Sequence, residues 1–348
     1  ASEALADLGP QSVVLITGGA RGVTAAAAAE LARRYRPTLV LVGRSPLPSA
    51  PEAAETASLH SARELKAALM AQLRKSGQPV AIPAIEAAYE ALLREREVRT
   101  TLARLRSLGS RVDYHAADVS DPAAVAALVG QIYAAHGRID GLIHGAGVIK
   151  DAPIQNKSVD SAQRVYETKV LSARSLLRAV RTDELTFCAF FSSIVSHTGN
   201  VGQVDYAAAN AALNQLAGEL DRQTPARVVS FLWGPWRGGM VRPELEEVLR
   251  HAGWELIEEA AGAAACIDEL RLGHKGDVEV ILTAPTRDEL AVDVARVCVA
   301  ACHRCHAAVY ARLCPPGRQY LRLYLLANSP FHRSRRCWQH SCESIQVT

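Results

Sequence analysis

The 348-residue chain has no apolar run approaching the roughly 18 to 20 residues that a membrane-crossing helix needs. Its first residues, Ala1 to Gly9, lack the charged-then-apolar plan of a signal peptide. It has no excess of one charge: 39 Lys and Arg against 36 Asp and Glu leave a net charge of +3, with the signs interspersed. That balance provides neither the basic stripe of a nucleic-acid binder nor an acidic solvating tail, and it leaves small-molecule chemistry open. A soluble protein with a cytoplasmic address, touching neither nucleic acid nor membrane, is the expectation. Cysteine is scarce over most of the chain. Cys188 and Cys266 are isolated, while Cys298, Cys302, Cys305, Cys314, Cys337 and Cys342 crowd the end. No pair there has ordinary two-plus-two zinc-ligand spacing, so no metal site is expected.

What is present is a full core, with 49% hydrophobic residues, and a regular alternation. Short apolar or β-branched runs recur at 12–17, 38–43, 111–116, 139–144, 187–192, 228–233 and 278–283, with helical patterns filling most gaps. Continuous apolar strands alternating with helices predict an α/β fold, a Rossmann-like doubly wound parallel sheet covered on both faces. One departure is a helical insertion after the second strand, residues 46–108. Ser61 with Glu64 makes a capping box for a helix through about Lys75, and Ile85, Tyr89, Leu92, Val98, Leu102 and Leu105 fall at helical spacing in a second. It reads as a self-packed addition, with a docking surface for a neighbouring domain as the other reading, and not as part of the active site. From about residue 291 to 348 the composition turns abruptly to Cys, His and Arg, which predicts a poorly ordered or artefactual tail, for instance one translated out of frame. The catalytic domain is expected over 1–290. A start on Ala rather than Met, with a strand following within a dozen residues, reads as a piece of a longer polypeptide.

Gly18, Gly19 and Gly22 sit at the turn between the first strand and first helix, where small residues let backbone N–H groups approach a pyrophosphate. The third glycine of the usual fingerprint is absent and Thr24 stands in its place. Also absent is an acid at the end of the second strand, where NAD-binding chains hold the ribose. Arg44 there favours the 2′-phosphate of NADPH, the alternative being a solvated surface arginine. Asp118 and the His144-Gly145-Ala146-Gly147 turn follow the third and fourth strands, at carboxyl ends where cofactors bind in open α/β sheets.

A reductase of this fold needs a proton donor for the carbonyl oxygen, a cation to lower that donor's pKa, and a hydroxyl to orient the carbonyl. Ser193 ends the fifth strand, Tyr206 lies thirteen residues on, Asn210 follows one helical turn later, and Lys169 lies on the preceding helix. These residues resemble the short-chain dehydrogenase/reductase superfamily, and specifically the ketoreductase domains of polyketide and polyunsaturated-fatty-acid synthases. The resemblance covers about residues 12 to 290 and rests on TGGARG at 17–22, GRS at 43–45, ADVSD at 117–121, HGAGV at 144–148, KV at 169–170, FSS at 191–193, YAAAN at 206–210 and WGPW at 233–236. Ordinary members carry lysine one turn after the tyrosine. Here Asn210 holds that place and lysine appears upstream at Lys169, a hallmark of the synthase type.

The resemblance implies Tyr206 as general acid, Lys169 stabilising its phenolate and contacting the nicotinamide ribose, Ser193 bonding the substrate carbonyl, and Asn210 supporting the relay. It implies NADPH contacts at Thr17, Gly18, Gly19, Arg21, Gly22, Val23, Arg44, Ser45, Asp118, Val119, Gly145, Ala146 and Gly147. The implied substrate is a β-ketoacyl chain on an acyl carrier protein, with neighbouring synthase domains as partners. Gly238, Gly239 and Met240 read as a lid over the entrance, or as a surface turn. The stretch Ile149-Lys150-Asp151, one aspartate short of a Leu-Asp-Asp element, and the lack of a tryptophan shortly before Tyr206 favour a D-hydroxyl product. Ketoreductases of this type also carry an amino-terminal structural subdomain, of which only a short lead-in stands before Ser12. A stand-alone carbonyl reductase and a silent nucleotide-binding scaffold are the competing functions.

Overall fold

The structure is a computed structural model, and it describes residues 5, 8–47, 51–77, 80–237, 243–251, 253–284 and 321–325. Along the chain, β1 (Val13–Thr17), α1 (Gly22–Tyr35) and β2 (Thr38–Gly43) form the first crossover unit. The segment after β2 is helical, with α2 (Ala54–Ala57), α3 (Ala62–Lys75) and α4 (Ile82–Ser107) preceding β3 (Val112–Ala116). Then α5 (Pro122–His136) leads to β4 (Gly141–His144), and α6 (Val159–Tyr166), a π turn (Glu167–Leu171) and α7 (Ser172–Ala179) lead to β5 (Phe187–Ser193). The short α8 (Val195–Thr198), α9 (Val204–Gln223), β6 (Arg227–Trp233), α10 (Pro243–His251), α11 (Glu259–Leu272), β7 (Glu279–Thr283) and β8 (Leu321–Leu325) follow.

All strand pairs are parallel, in the order β3-β2-β1-β4-β5-β6-β7-β8. Every residue of β1, β4, β6 and β7 is buried, which is why those strands carry no polar alternation. One face of the sheet packs on α1, α4 and α11 through Leu31, Leu102 and Ile267. The other packs on α5, α7 and α9 through Ile132, Leu176 and Leu213. The chain reverses from one side of the sheet to the other between β1 and β4, which opens a crevice at their carboxyl ends.

The Ser61 hydroxyl accepts from the Glu64 N–H at 3.2 Å and starts α3 as the capping box predicts. α4 is a single helix of 26 residues. Its first part packs with α3, but Val98, Leu102 and Leu105 are buried in the main core beside α1. α4 is therefore also the crossover helix between β2 and β3, lengthened at its amino-terminal end, so part of the segment that reads as an insertion belongs to the sheet's own covering layer. Of the Cys-rich tail only β8 is described, paired with β7 from Glu279–Leu321 to Thr283–Leu325. The reading of the remaining tail as disordered or artefactual lies outside the described residues, as do its cysteines.

β4 and β5 pack closely at Gly141, the partner of Phe187. A Cβ at Gly141 would lie 2.3 Å from Phe187 Cε1, so the ring fills the space that only glycine leaves. Phe187 is fully buried. Phe187→Ala is expected to lower the unfolding free energy by about 3–5 kcal/mol, through lost transfer energy and a residual cavity. Urea titration should show a lower midpoint at unchanged slope, and a negligible shift would remove the ring from the packed core.

Candidate active site

The glycine turn follows β1 and opens α1 at the crevice. Gly18 adopts φ +71, and a Cβ there would lie 2.9 Å from Gly145 O, so the two turns after β1 and β4 close on each other only without side chains. Gly145 is fixed from the other side as well, because its Cβ would lie 2.2 Å from Thr24 Oγ1. The threonine in place of the third glycine thus packs against Gly145. Gly19 is pressed on Ile16, and Ala146 packs against the α5 and α7 side of the core. Thr17 is buried, and its hydroxyl pairs with His144 Nδ1 at 2.8 Å.

Beyond β2, the Ser45 carbonyl accepts from the Tyr114 hydroxyl at 2.6 Å. The Asp118 carboxylate accepts from the Ser120 hydroxyl and N–H at 2.7 and 3.0 Å. Those bonds hold its pKa below the ordinary carboxylate value, with Arg44 and Arg164 adding to the shift. Val119 is buried beside it. A dinucleotide would fit this arrangement: the bare turns leave room beside the backbone at the start of α1, Val23 lies in the first turn of that helix, Arg21 stands just before it and Arg44 just after β2.

Lys169 stands in the π turn between α6 and α7, a local widening common at functional sites. Its ammonium is buried, donates to Phe191 O at 2.7 Å and lies 5.6 Å from the centre of the Tyr206 ring. A Cβ at Gly147 would come within 3.3 Å of Lys169 Nζ, so a side chain there would crowd the buried amine. Burial lowers the Lys169 pKa to about 8. His144, in turn, grips the π turn: its Nε2 lies 3.0 Å from Lys169 O and 3.2 Å from Ser172 Oγ. Burial, with the Lys169 charge adding to it, drops the His144 pKa to about 3, so the imidazole is neutral and acts only through hydrogen bonds.

Tyr206 lies in the first turn of α9 and is buried. Desolvation raises its pKa, while the Asn210 and Ser193 side chains near it act in the opposite direction. Asn210 Nδ2 donates to Tyr206 O at 2.8 Å, and the fully buried Oδ1 has no hydrogen-bond partner among the described residues. The structure therefore brings Lys169, Ser193, Tyr206 and Asn210 to one place from the π turn, α9 and the end of β5. Gly238, Gly239 and Met240 lie outside the described residues.

Three contributors escape a reading of the sequence. His144 shows there only as part of a turn. Lys157 forms a buried pair with Asp205 at 2.9 Å and donates to Lys150 O at 2.7 Å, tying the loop after β4 to the start of α9. Glu97, from α4, reaches Arg21 and Gly22 in the glycine turn. Among the described residues no helix is long and apolar enough to cross a membrane, and no group of three His, Cys, Asp or Glu is placed to hold a metal.

Residues 12–238 match the family described as the KR domain. A polyunsaturated fatty acid synthase subunit from Thraustochytrium sp. is 34% identical over 258 residues, 72% of this chain and 9% of that protein. Polyketide synthase PksN of Bacillus subtilis is 29% identical over 240 residues, 67% of this chain and 4% of that one. Among solved structures, an N-terminal ketoreductase from the macrolactin assembly line superposes with TM-score 0.57 at 28% identity, covering 76% of this chain and 43% of that one. The ketoreductase from the first module of phoslactomycin biosynthesis in Streptomyces sp. HK803 gives 0.58 at 25% identity, covering 76% and 51%. The chain spans under a tenth of these synthases and about half of these solved ketoreductases. On a Rossmann-like sheet whose crevice gathers Lys169, Ser193, Tyr206 and Asn210, a match over most of the chain has one meaning: it belongs to the KR domain family, the nicotinamide-dependent ketoreductases of polyketide and polyunsaturated fatty acid synthases in the short-chain dehydrogenase/reductase fold.

Proposed function

We propose that residues 1–290 form a catalytic unit that uses NADPH to reduce a β-ketoacyl thioester, carried on an acyl carrier protein, to the β-hydroxyacyl thioester. Neighbouring synthase domains would pass the acyl chain on. The observation that carries this reading is the buried Lys169 ammonium 5.6 Å from the Tyr206 ring, with Asn210 bonded to the Tyr206 backbone one turn along α9.

Bound in the crevice, NADPH would supply a hydride to the carbonyl carbon. Its phosphates would be held by the α1 N-terminus, Arg21 and Arg44, with Thr17, Gly18, Gly19, Gly22, Val23, Ser45, Asp118, Val119, Gly145, Ala146 and Gly147 shaping the wall. Ser193 orients the ketone by donating to its oxygen, and the Tyr206 hydroxyl gives its proton to that oxygen as negative charge grows there. Lys169 offsets the phenolate left behind, and Asn210 holds the first turn of α9 so that the phenol keeps its aim. The reading keeps the D-hydroxyl product. Asp151, in the stretch that favours it, accepts from Gln203 Nε2 at 2.9 Å just ahead of α9, which fixes one wall of the entrance.

The test is NADPH consumption with a β-ketoacyl thioester, free and carrier-bound, for the wild type and Tyr206→Phe. The variant should lose about 10²- to 10⁴-fold in turnover while still binding NADPH. Undiminished turnover would sink the mechanism, and NADPH binding without turnover in the wild type would make the chain a nucleotide-binding scaffold. A marked preference for the carrier-bound thioester is expected, whereas equal use of free ketones would mark a stand-alone reductase.

The pH profile supplies a second prediction. Lys169 titrates at about 8 and Tyr206 above its ordinary value, so kcat/KM should fall as pH rises through about 8, when the ammonium loses its charge. Unfolding does not produce that limb. The folded-state pKa lies below the ordinary lysine value of 10.5, so between the two the unfolded chain binds more protons and the Lys169 contribution to stability rises with pH. An alkaline limb that stays in place in Lys169→Arg would show that another group sets it.

A further inference from the structure

α1 has no N-terminal cap of its own. Its N-cap residue Arg21 is extended, makes no side-chain cap, and the first turn carries no acid. The acceptor comes instead from 75 residues away. Glu97 Oε1 accepts from Gly22 N at 3.2 Å, and Glu97 Oε2 accepts from Arg21 Nε at 2.5 Å. One carboxylate thereby engages a backbone N–H at a helix start and the guanidinium next to it, which is the donor pair that suits a phosphate.

The reach of Glu97 is prepared by its neighbours. Val98 is buried in the main core, and Arg96 binds Glu52, Thr56 O and Leu59 O, so both flanking residues anchor the middle of α4. Glu95 turns elsewhere, to Arg99 on its own helix at 2.8 Å. Glu97 and Arg21 remain about half exposed, at 42% and 48%, so the contact can open without unpacking the core.

We propose that Glu97 is an internal stand-in for a cofactor phosphate: it occupies the phosphate-binding turn of the cofactor-free chain and must withdraw before the dinucleotide binds. The inference rests on the NADPH reading above. A carboxylate and a phosphate on the same donors repel, so the affinity for cofactor is lower than the crevice alone would give. The lengthened helix that carries Glu97 is then a lever, since any contact that draws α4 away from the glycine turn tightens cofactor binding.

The experiment measures NADPH dissociation constants by calorimetry, without substrate, for the wild type, Glu97→Gln, Glu97→Asp and Glu95→Gln. Glu97→Gln should bind about three- to fivefold more tightly, the range of an exposed ion pair, with the gain shrinking at high salt. Glu97→Asp, one methylene shorter, should fall between, and Glu95→Gln should match the wild type. Hydrogen exchange gives an independent readout: the Gly22 amide should exchange faster in cofactor-free Glu97→Gln and regain equal protection in both proteins with NADPH. Unchanged or weaker binding by Glu97→Gln would overturn the proposal and make Glu97 a support for Arg21. No NADPH binding by any of the proteins would instead defeat the cofactor reading, and this inference with it.

Discussion

The site depends on keeping one ammonium charged inside the protein. In the proposed reaction Lys169 acts on a Tyr206 phenolate, and the place it occupies beside that ring is buried, where desolvation opposes the charge and brings its pKa down to about 8. The protein meets this cost with a short bond to the Phe191 carbonyl at the end of β5 and with a fixed backbone position in the π turn. His144 supplies that position by joining Thr17 on β1 to Lys169 O, across the point where the sheet reverses. The histidine that opens the turn after β4 is thus a brace between the end of β1 and Lys169. Its low pKa lets it serve, since a protonated ring could not accept a hydrogen bond on either nitrogen.

The strands were legible because burial on both faces leaves no choice of residue: Val13–Thr17, Gly141–His144 and Arg227–Trp233 all lie within two residues of the apolar runs that announced them. That Lys169, Ser193, Tyr206 and Asn210 meet was legible for a different reason, the unusual exchange of lysine and asparagine between positions 169 and 210. His144 and Glu97 were not legible as contributors. A histidine in a glycine-rich turn carries no periodic signal, and its partners lie 127 and 25 residues away. Glu97 sits in a run of alternating charges, where a carboxylate reads as a solvated face, and only the packing of Val98, Leu102 and Leu105 on the sheet turns it toward the glycine turn.

The same packing explains why the helical excursion stands closer to the site than its sequence suggests. A self-contained insertion would project from the sheet edge and leave the cofactor turn alone. Because α4 doubles as the crossover between β2 and β3, it passes beside α1, and its middle, where Glu97 sits, meets the turn that opens that helix. The segment after β2 is therefore both scaffold and neighbour of the site.

Thr24 shows how such a fold absorbs a lost glycine. In the usual fingerprint the third glycine gives close packing between helix and strand. With a threonine there, the side chain occupies space beside the turn after β4, and the requirement for a bare backbone passes to Gly145, whose Cβ would collide with the threonine hydroxyl. The close approach of the two turns is kept while the residue that permits it has moved. A fingerprint counted by glycines along one turn undercounts such a site, and the sum over both turns recovers it.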